Sequence, residues 1–256
     1  MNKIIIGTRS LSGDFRNISK KKIYKILKYL IENNFNHFDT SEVYGYGLSD
    51  AVLSEFKFDD ILVDIKCGYN TEYIKTFKLE DIYKTVERSL KKFKKINTLY
   101  LHNPRKEIKD WAQIMDLLKK LKKQKIINFL GVSIARDPEQ YYFTKKILSN
   151  FDYIQDEYNL FKQPNFNRIP KKEKIVARSV FASGLFNAKH YVRNDMRSDV
   201  YYGLRKKNIS RQIFLLKKIF GKNLIKSSFE LVYFDKRISN LIVSFSSLEQ
   251  VDKFLK

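Results

Sequence analysis

The chain has little cysteine, few acidic residues against its basic ones, and no long apolar run. Cys67 is the only cysteine among 256 residues, so no intrachain disulfide can form and a reducing compartment is compatible. Its place beside Lys66 leaves two readings, a redox-active thiol or a small buried apolar residue. No apolar stretch approaches the roughly 20 residues that span a bilayer. Met1-Asn2-Lys3 runs straight into Ile4-Ile5-Ile6, too short for a signal peptide, so a soluble cytoplasmic protein without a membrane partner is expected. The first connection, Gly7-Thr8-Arg9-Ser10, has one glycine where a dinucleotide fingerprint needs several. No low-complexity linker or domain boundary interrupts the chain.

What is present suits one large domain. Hydrophobic residues make up 43% and aromatic residues 14% of the chain, ample for a packed core and unlike a disordered composition. The formal net charge of +22 would attract polyanions. The lysines, however, are spread through nearly every helical segment, including Leu117 to Lys125, whose leucines recur at helical spacing. A solvated basic surface is expected there, with no specific nucleic-acid partner.

Strand-like and helix-like segments alternate throughout. Strands are expected at Lys3 to Gly7, Phe35 to Thr40, Ile61 to Lys66, Thr98 to His102, Asn128 to Ser133, Tyr153 to Glu157, Lys174 to Phe181 and Leu241 to Phe245. Helices are expected at Lys20 to Asn33, Leu48 to Phe56, Leu79 to Phe93, Glu107 to Lys123, Asp137 to Ser149, Arg211 to Phe220, Ser227 to Phe234 and from Leu248. Asn187 to Ser210 is polar and long enough to be a lid or ligand loop. Near-continuous apolar strands imply a parallel sheet covered on both faces. The economical fold class is α/β, a single (β/α)8 TIM barrel over residues 1–256. An open doubly wound sheet is the competing architecture.

Three of these strands end on chemistry. Asp39 closes the second, with Tyr44 five residues later; Lys66 closes the third; His102 closes the fourth. A phenol is a poor acid at neutral pH, with a free pKa near 10. A neighbouring ammonium stabilises its phenolate, and a carboxylate keeps that ammonium charged and in place. A histidine beside them can fix a carbonyl oxygen. Tyr44, Lys66, Asp39 and His102 thus form a candidate proton-donating site. His37, Glu42 and Trp111 are expected to be packing or loop-fixing residues, and His190 solvent-exposed.

His37-Phe38-Asp39-Thr40-Ser41-Glu42-Val43-Tyr44-Gly45, with Gly47-Leu48-Ser49-Asp50 after it, resembles the aspartate-to-tyrosine motif of the aldo-keto reductase family. Lys66 and Leu101-His102-Asn103-Pro104 resemble its lysine and histidine segments, and later segments follow in order over nearly the whole chain. The resemblance implies an NAD(P)(H)-dependent oxidoreductase that interconverts a carbonyl and an alcohol, with Tyr44 as general acid and base. It further implies cofactor contacts from Gly7, Thr8 and Asp39. Gly131-Val132-Ser133 resembles a turn whose serine, Ser133, meets the nicotinamide carboxamide, as does Gln155 of Gln155-Asp156-Glu157-Tyr158-Asn159. Arg178 and Ser179, in Ala177 to Leu185, fall along the cofactor, and Ser246 and Gln250 fall in its adenosine-phosphate segment.

This sequence departs from the family at defined points. Ile134 replaces an asparagine, Arg178 an aromatic residue that stacks on nicotinamide, and Ser244 a glycine. Phe254 stands at an adenine-contacting asparagine. Ser244 to Gln250 offers no cation for a 2′-phosphate but a carboxylate at Glu249, so weak discrimination between NADP and NAD is expected. The usual N-terminal hairpin and C-terminal extension are missing from the pattern, which implies an open site admitting a small carbonyl or alcohol, even a bulky sugar or sugar nucleotide. A monomer without a metal is expected. The other reading is a catalytically degenerate barrel that binds a nucleotide or a partner.

Overall fold

The structure is a computed structural model that describes residues 3–15, 17–56, 61–70, 72, 74–104, 108, 110–134, 143–172, 174–184, 186 and 206–255. Eight strands run β1 (Ile4–Gly7), β2 (His37–Asp39), β3 (Leu62–Cys67), β4 (Ile96–His102), β5 (Ile127–Ser133), β6 (Tyr153–Glu157), β7 (Lys174–Arg178) and β8 (Ile238–Val243). Each pairs in parallel with the next, and β8 pairs with β1, closing the barrel. The doubly wound alternative is therefore excluded. The helices are α1 (Lys20–Glu32), α2 (Leu48–Leu53), α3 (Leu79–Phe93), α4 (Trp111–Lys123), α5 (Lys145–Leu148), α6 (Lys206–Phe220), α7 (Leu224–Tyr233) and α8 (Leu248–Leu255).

The amphipathic stripes explain how these helices attach. In α1, Ser19 caps the first turn by accepting from the Lys22 amide, and Ile23, Ile26, Leu27 and Leu30 are buried against the barrel. Each such side chain contributes about 1.5–3 kcal/mol on burial. The main core lies between strands and helices, while a second small cluster of Ile5, Val176 and Ile242, with Tyr153 against it, fills the barrel interior. Below it, toward the strand N-termini, His37 Nε2 meets Asp64 Oδ2 at 2.8 Å and the Asn97 amide donates to Asp64 Oδ1 at 2.8 Å. His37 is thus a structural partner of a buried carboxylate.

Several expected boundaries shift. The helix expected from Arg211 begins at Lys206, so part of the long polar loop is helical; 187–205, with His190, and 135–142 lie outside the described residues. The last strand is Ile238–Val243, because Ile238 and Asn240 already pair with β7. Gly131 sits within β5, inside the strand expected at Asn128 to Ser133. A Cβ there would lie 2.3 Å from the Tyr100 ring, so glycine leaves the volume that lets Tyr100 fill the barrel. Among the described residues no helix is long and apolar enough to cross a membrane.

Candidate active site

The parallel register brings the polar strand ends to one mouth. Gly7 is level with Asp39, Lys66 with Tyr100, and His102 with Ser133, which is in turn level with Gln155. In closed α/β barrels this C-terminal rim is where catalytic groups gather. Here it holds a continuous chain of polar contacts. Lys66 Nζ donates to Asp39 Oδ1, Gln155 Nε2 donates to Asp39 Oδ2 at 2.9 Å, and Ser133 Oγ donates to Gln155 Oε1 at 2.9 Å. Asp39 and Lys66 are buried, at 4% and 3% exposure, so the pair is shielded from salt and water.

The Tyr44 phenol completes that chain. Burial works against the Lys66 ammonium, but the Asp39 carboxylate and the Tyr44 phenol outweigh it, so its pKa is raised above the usual lysine value. The Lys66 Nζ lies 5.5 Å from the Tyr44 ring centroid, and the His102 ring lies 6.1 Å from Tyr44, nearly perpendicular to it. Burial, then the charges of Lys66, Arg9, Arg178 and Lys75, hold His102 well below the ordinary histidine value. The imidazole is therefore neutral at physiological pH, and its Nδ1 is buried without a hydrogen-bond partner among the described residues. The four candidate catalytic residues converge.

Local structure fixes how Tyr44 is presented. Gly45, Tyr46 and Gly47 all have positive φ, at 58°, 52° and 82°. A Cβ on Gly45 would lie 1.8 Å from the Ser12 carbonyl oxygen, so only glycine allows this approach. The loop is also tied outward. Arg88 forms a two-pronged pair with Glu42, at 2.9 and 2.7 Å, and Thr40 Oγ1 donates to Asp50 Oδ1 at 2.5 Å. Thr8 Oγ1 donates to Thr40 Oγ1 at 2.7 Å. Glu42 is thus the loop-fixing residue expected, and Thr8 supports that loop from β1.

The cofactor residues divide. Ser133 and Gln155 stand beside Asp39, and the Ser133 hydroxyl with the Gln155 amide offers the donors and acceptors that a carboxamide needs, so this pair fits a nicotinamide. Arg178 reaches across β6 to donate to the Ile134 carbonyl at 2.6 Å and touches Ser179 Oγ at 3.4 Å. The two departures from the family pattern at this rim are therefore bonded to each other. Ser246 and Gln250 lie together at the start of α8. There Gln250 Oε1 accepts from the Ser246 amide at 2.7 Å and its hydroxyl at 3.0 Å, a helix-capping arrangement. Glu249 turns along the helix to Lys253 Nζ at 2.6 Å. Phe254 packs on Phe35, Phe229 and Phe245, which makes it a core residue.

The remaining sequence candidates have structural roles. Cys67 is buried, its thiol donates to the Tyr100 carbonyl at 3.5 Å, and burial pushes it up to about 12, so it is an inert core residue. Trp111 packs edge-on against Phe151. Among the described residues no three His, Cys, Asp or Glu side chains are grouped to hold a metal. The sequence reading missed Arg9, Tyr69 and Lys75 at the mouth. Arg9 directly follows β1, so its position alone was a signal; Tyr69 and Lys75 are paired through a short bridge after β3 that no periodicity reveals.

A closed (β/α)8 barrel with tyrosine, lysine, aspartate and histidine converging at its C-terminal mouth defines the class. The sequence profile of the Aldo/keto reductase family matches residues 3–253, and the chain belongs to that family. The fold is similar to that of the glycerol dehydrogenase AKR11B4 from Gluconobacter oxydans, with a TM-score of 0.75 and 20% identity over 98% of this chain and 85% of that one. The thermostable aldo-keto reductase Tm1743, solved with the inhibitor epalrestat, aligns with a TM-score of 0.69 and 16% identity over 100% of this chain and 89% of that one. No protein of curated function matches the chain.

Proposed function

We propose that this protein is an active NAD(P)(H)-dependent carbonyl reductase and alcohol dehydrogenase of small molecules. The observation that carries the reading is the buried Tyr44–Lys66–Asp39 contact with neutral His102 beside it. When bound, the nicotinamide supplies or takes the hydride. Ser133 and Gln155 would hold its carboxamide, with Gly7, Thr8, Arg178 and Ser179 along the cofactor and Ser246 at the phosphate end. Tyr44 gives its phenolic proton to the oxygen of the carbonyl under reduction and takes one back in oxidation. The Lys66 ammonium stabilises the phenolate so formed, and Asp39 keeps that ammonium in place. His102 directs an imidazole N–H at the same oxygen, where negative charge develops. Discrimination between NADPH and NADH is weak. The protein acts as a cytoplasmic monomer.

A panel of aldehydes and ketones, each assayed with NADPH and with NADH, tests this reading. Reduction of at least one aldehyde with stoichiometric nicotinamide oxidation is expected. Binding of the nucleotide without turnover of any member would favour a degenerate, binding-only barrel.

A further inference from the structure

Arg9 follows β1 in a short 3-10 turn, Arg9–Leu11, at the mouth beside Tyr44. Its guanidinium lies between two rings, 5.7 Å from the Tyr44 centroid and 5.4 Å from the Phe15 centroid. Its Nε is buried and has no hydrogen-bond partner among the described residues. A buried, unanswered guanidinium N–H is costly, and such groups are normally satisfied by a carboxylate, a phosphate or a carbonyl.

Each of the surrounding acids already has at least one partner. Asp39 is paired with Lys66, Glu42 with Arg88, and Asp14, on the same connection as Arg9, accepts from the Gly45 amide at 3.1 Å. The other cations at this mouth are committed too. Arg178 donates to the Ile134 carbonyl, and Lys75 Nζ donates to the Asn103 carbonyl at 3.1 Å. Arg9 is also held in place. Leu11 is buried, the Leu11 amide donates to the Thr8 carbonyl at 2.8 Å, and Ser10 Oγ donates to the Phe245 carbonyl at 2.6 Å. A guanidinium carried on a fixed backbone and set against two rings loses less freedom on binding, which favours recognition of a planar anion.

We propose that Arg9 is the specificity-determining residue of an anion subsite beside Tyr44, and that the carbonyl substrate carries a carboxylate or a phosphate. The proposal rests on the reading of Tyr44 and His102 as the groups that face the carbonyl. An anion held by Arg9 places the carbonyl of the same molecule over those two side chains. The charges of Lys66, Arg178 and Lys75 around His102 add a positive field of the right sign.

Matched aldehydes test it. Benzaldehyde against 4-carboxybenzaldehyde reads the carboxylate arm, and glyceraldehyde against glyceraldehyde 3-phosphate the phosphate arm. In the wild-type protein, kcat/KM for at least one charged member exceeds that of its neutral partner by about tenfold or more, the scale of one charge-assisted contact. Arg9→Met abolishes that ratio mainly through KM, and Arg9→Lys, which keeps the charge without the fork, retains part of it. Thermal melting of both variants checks that the barrel is intact.

Equal kcat/KM within both pairs would overturn the proposal, as would an Arg9→Met variant that lowers charged and neutral members alike. So would a variant that chiefly weakens NADPH binding, which would give Arg9 to the cofactor. If no aldehyde is turned over, the reductase reading fails, and calorimetric titration with 4-(hydroxymethyl)benzoate against benzyl alcohol decides the subsite alone. Arg9-dependent binding of the carboxylate would then support it, and no binding either of it or of glycerol 3-phosphate would overturn it.

Discussion

Asp39→Asn removes one partner of the buried pair while nearly preserving its shape. Asp39 and Lys66 are 4% and 3% exposed, and Asp39 also accepts from Gln155. The substitution strands a desolvated ammonium, and breaking a buried pair from one side costs about 3–5 kcal/mol. At ~2–4 °C per kcal/mol for a domain of this size class, the melting temperature should fall by about 6–20 °C. Lys66→Met should also destabilise, because it leaves the Asp39 carboxylate with only the Gln155 amide. In the double variant neither charge is stranded, so its loss should be smaller than the sum of the single losses by ~1–3 kcal/mol. Urea unfolding at pH 7, followed by far-ultraviolet circular dichroism, measures all four corners of this cycle. Losses that add within about 0.5 kcal/mol, or an Asp39→Asn variant within about 1 kcal/mol of wild type, would refute the reasoning.

Other perturbations probe the loop, the histidine and the cofactor end. Gly45→Ala would set a Cβ 1.8 Å from the Ser12 carbonyl oxygen at a φ of 58°, so the loop must move. A fall of at least tenfold in kcat, with the far-ultraviolet spectrum unchanged, is expected from misplacement of Tyr44. Because burial and its cationic neighbours hold His102 well below 6.5, kcat/KM for reduction should show no histidine step between about pH 6 and 8. The same depressed value means that, as pH falls below about 6.5, the unfolded chain takes up a proton the folded one refuses, so this residue lowers stability in acid. At the phosphate end, Glu249 is paired with Lys253, and the dissociation constants of NADPH and NADH at one salt concentration should differ by less than about tenfold.

Much of this was legible in the sequence because barrel strands announce themselves. Asp39, Lys66 and His102 each close a strand-like segment, and the parallel register makes strand ends coincide, so three distant residues could be placed at one rim. The spacing of Ile82 and Val86 likewise marked α3 at its observed bounds. Side-chain partnerships across strands were not legible, because no local pattern encodes them. The Arg178–Ile134 contact spans 44 residues, and the Gln155–Asp39 contact spans 116. The motif that suggests Gln250 as a cofactor ligand does not encode the bond its carbonyl makes to the Ser246 amide at the start of α8. The early start of α6 was hidden because Lys206 to Ser210 lacks an apolar stripe of its own. Arg9 carries no local motif, because the Tyr44 ring it meets lies on a later connection of the barrel.

The central claim is that Tyr44 is the proton donor. Single-turnover hydride transfer from prebound NADPH, in wild type and Tyr44→Phe, with cofactor affinity measured in parallel by nicotinamide fluorescence, tests it most directly. The account predicts a fall of at least about a hundredfold in the chemical step, with a cofactor dissociation constant within about threefold of wild type, a difference of well under 1.4 kcal/mol. A variant that transfers hydride at a rate within about tenfold of wild type would contradict it.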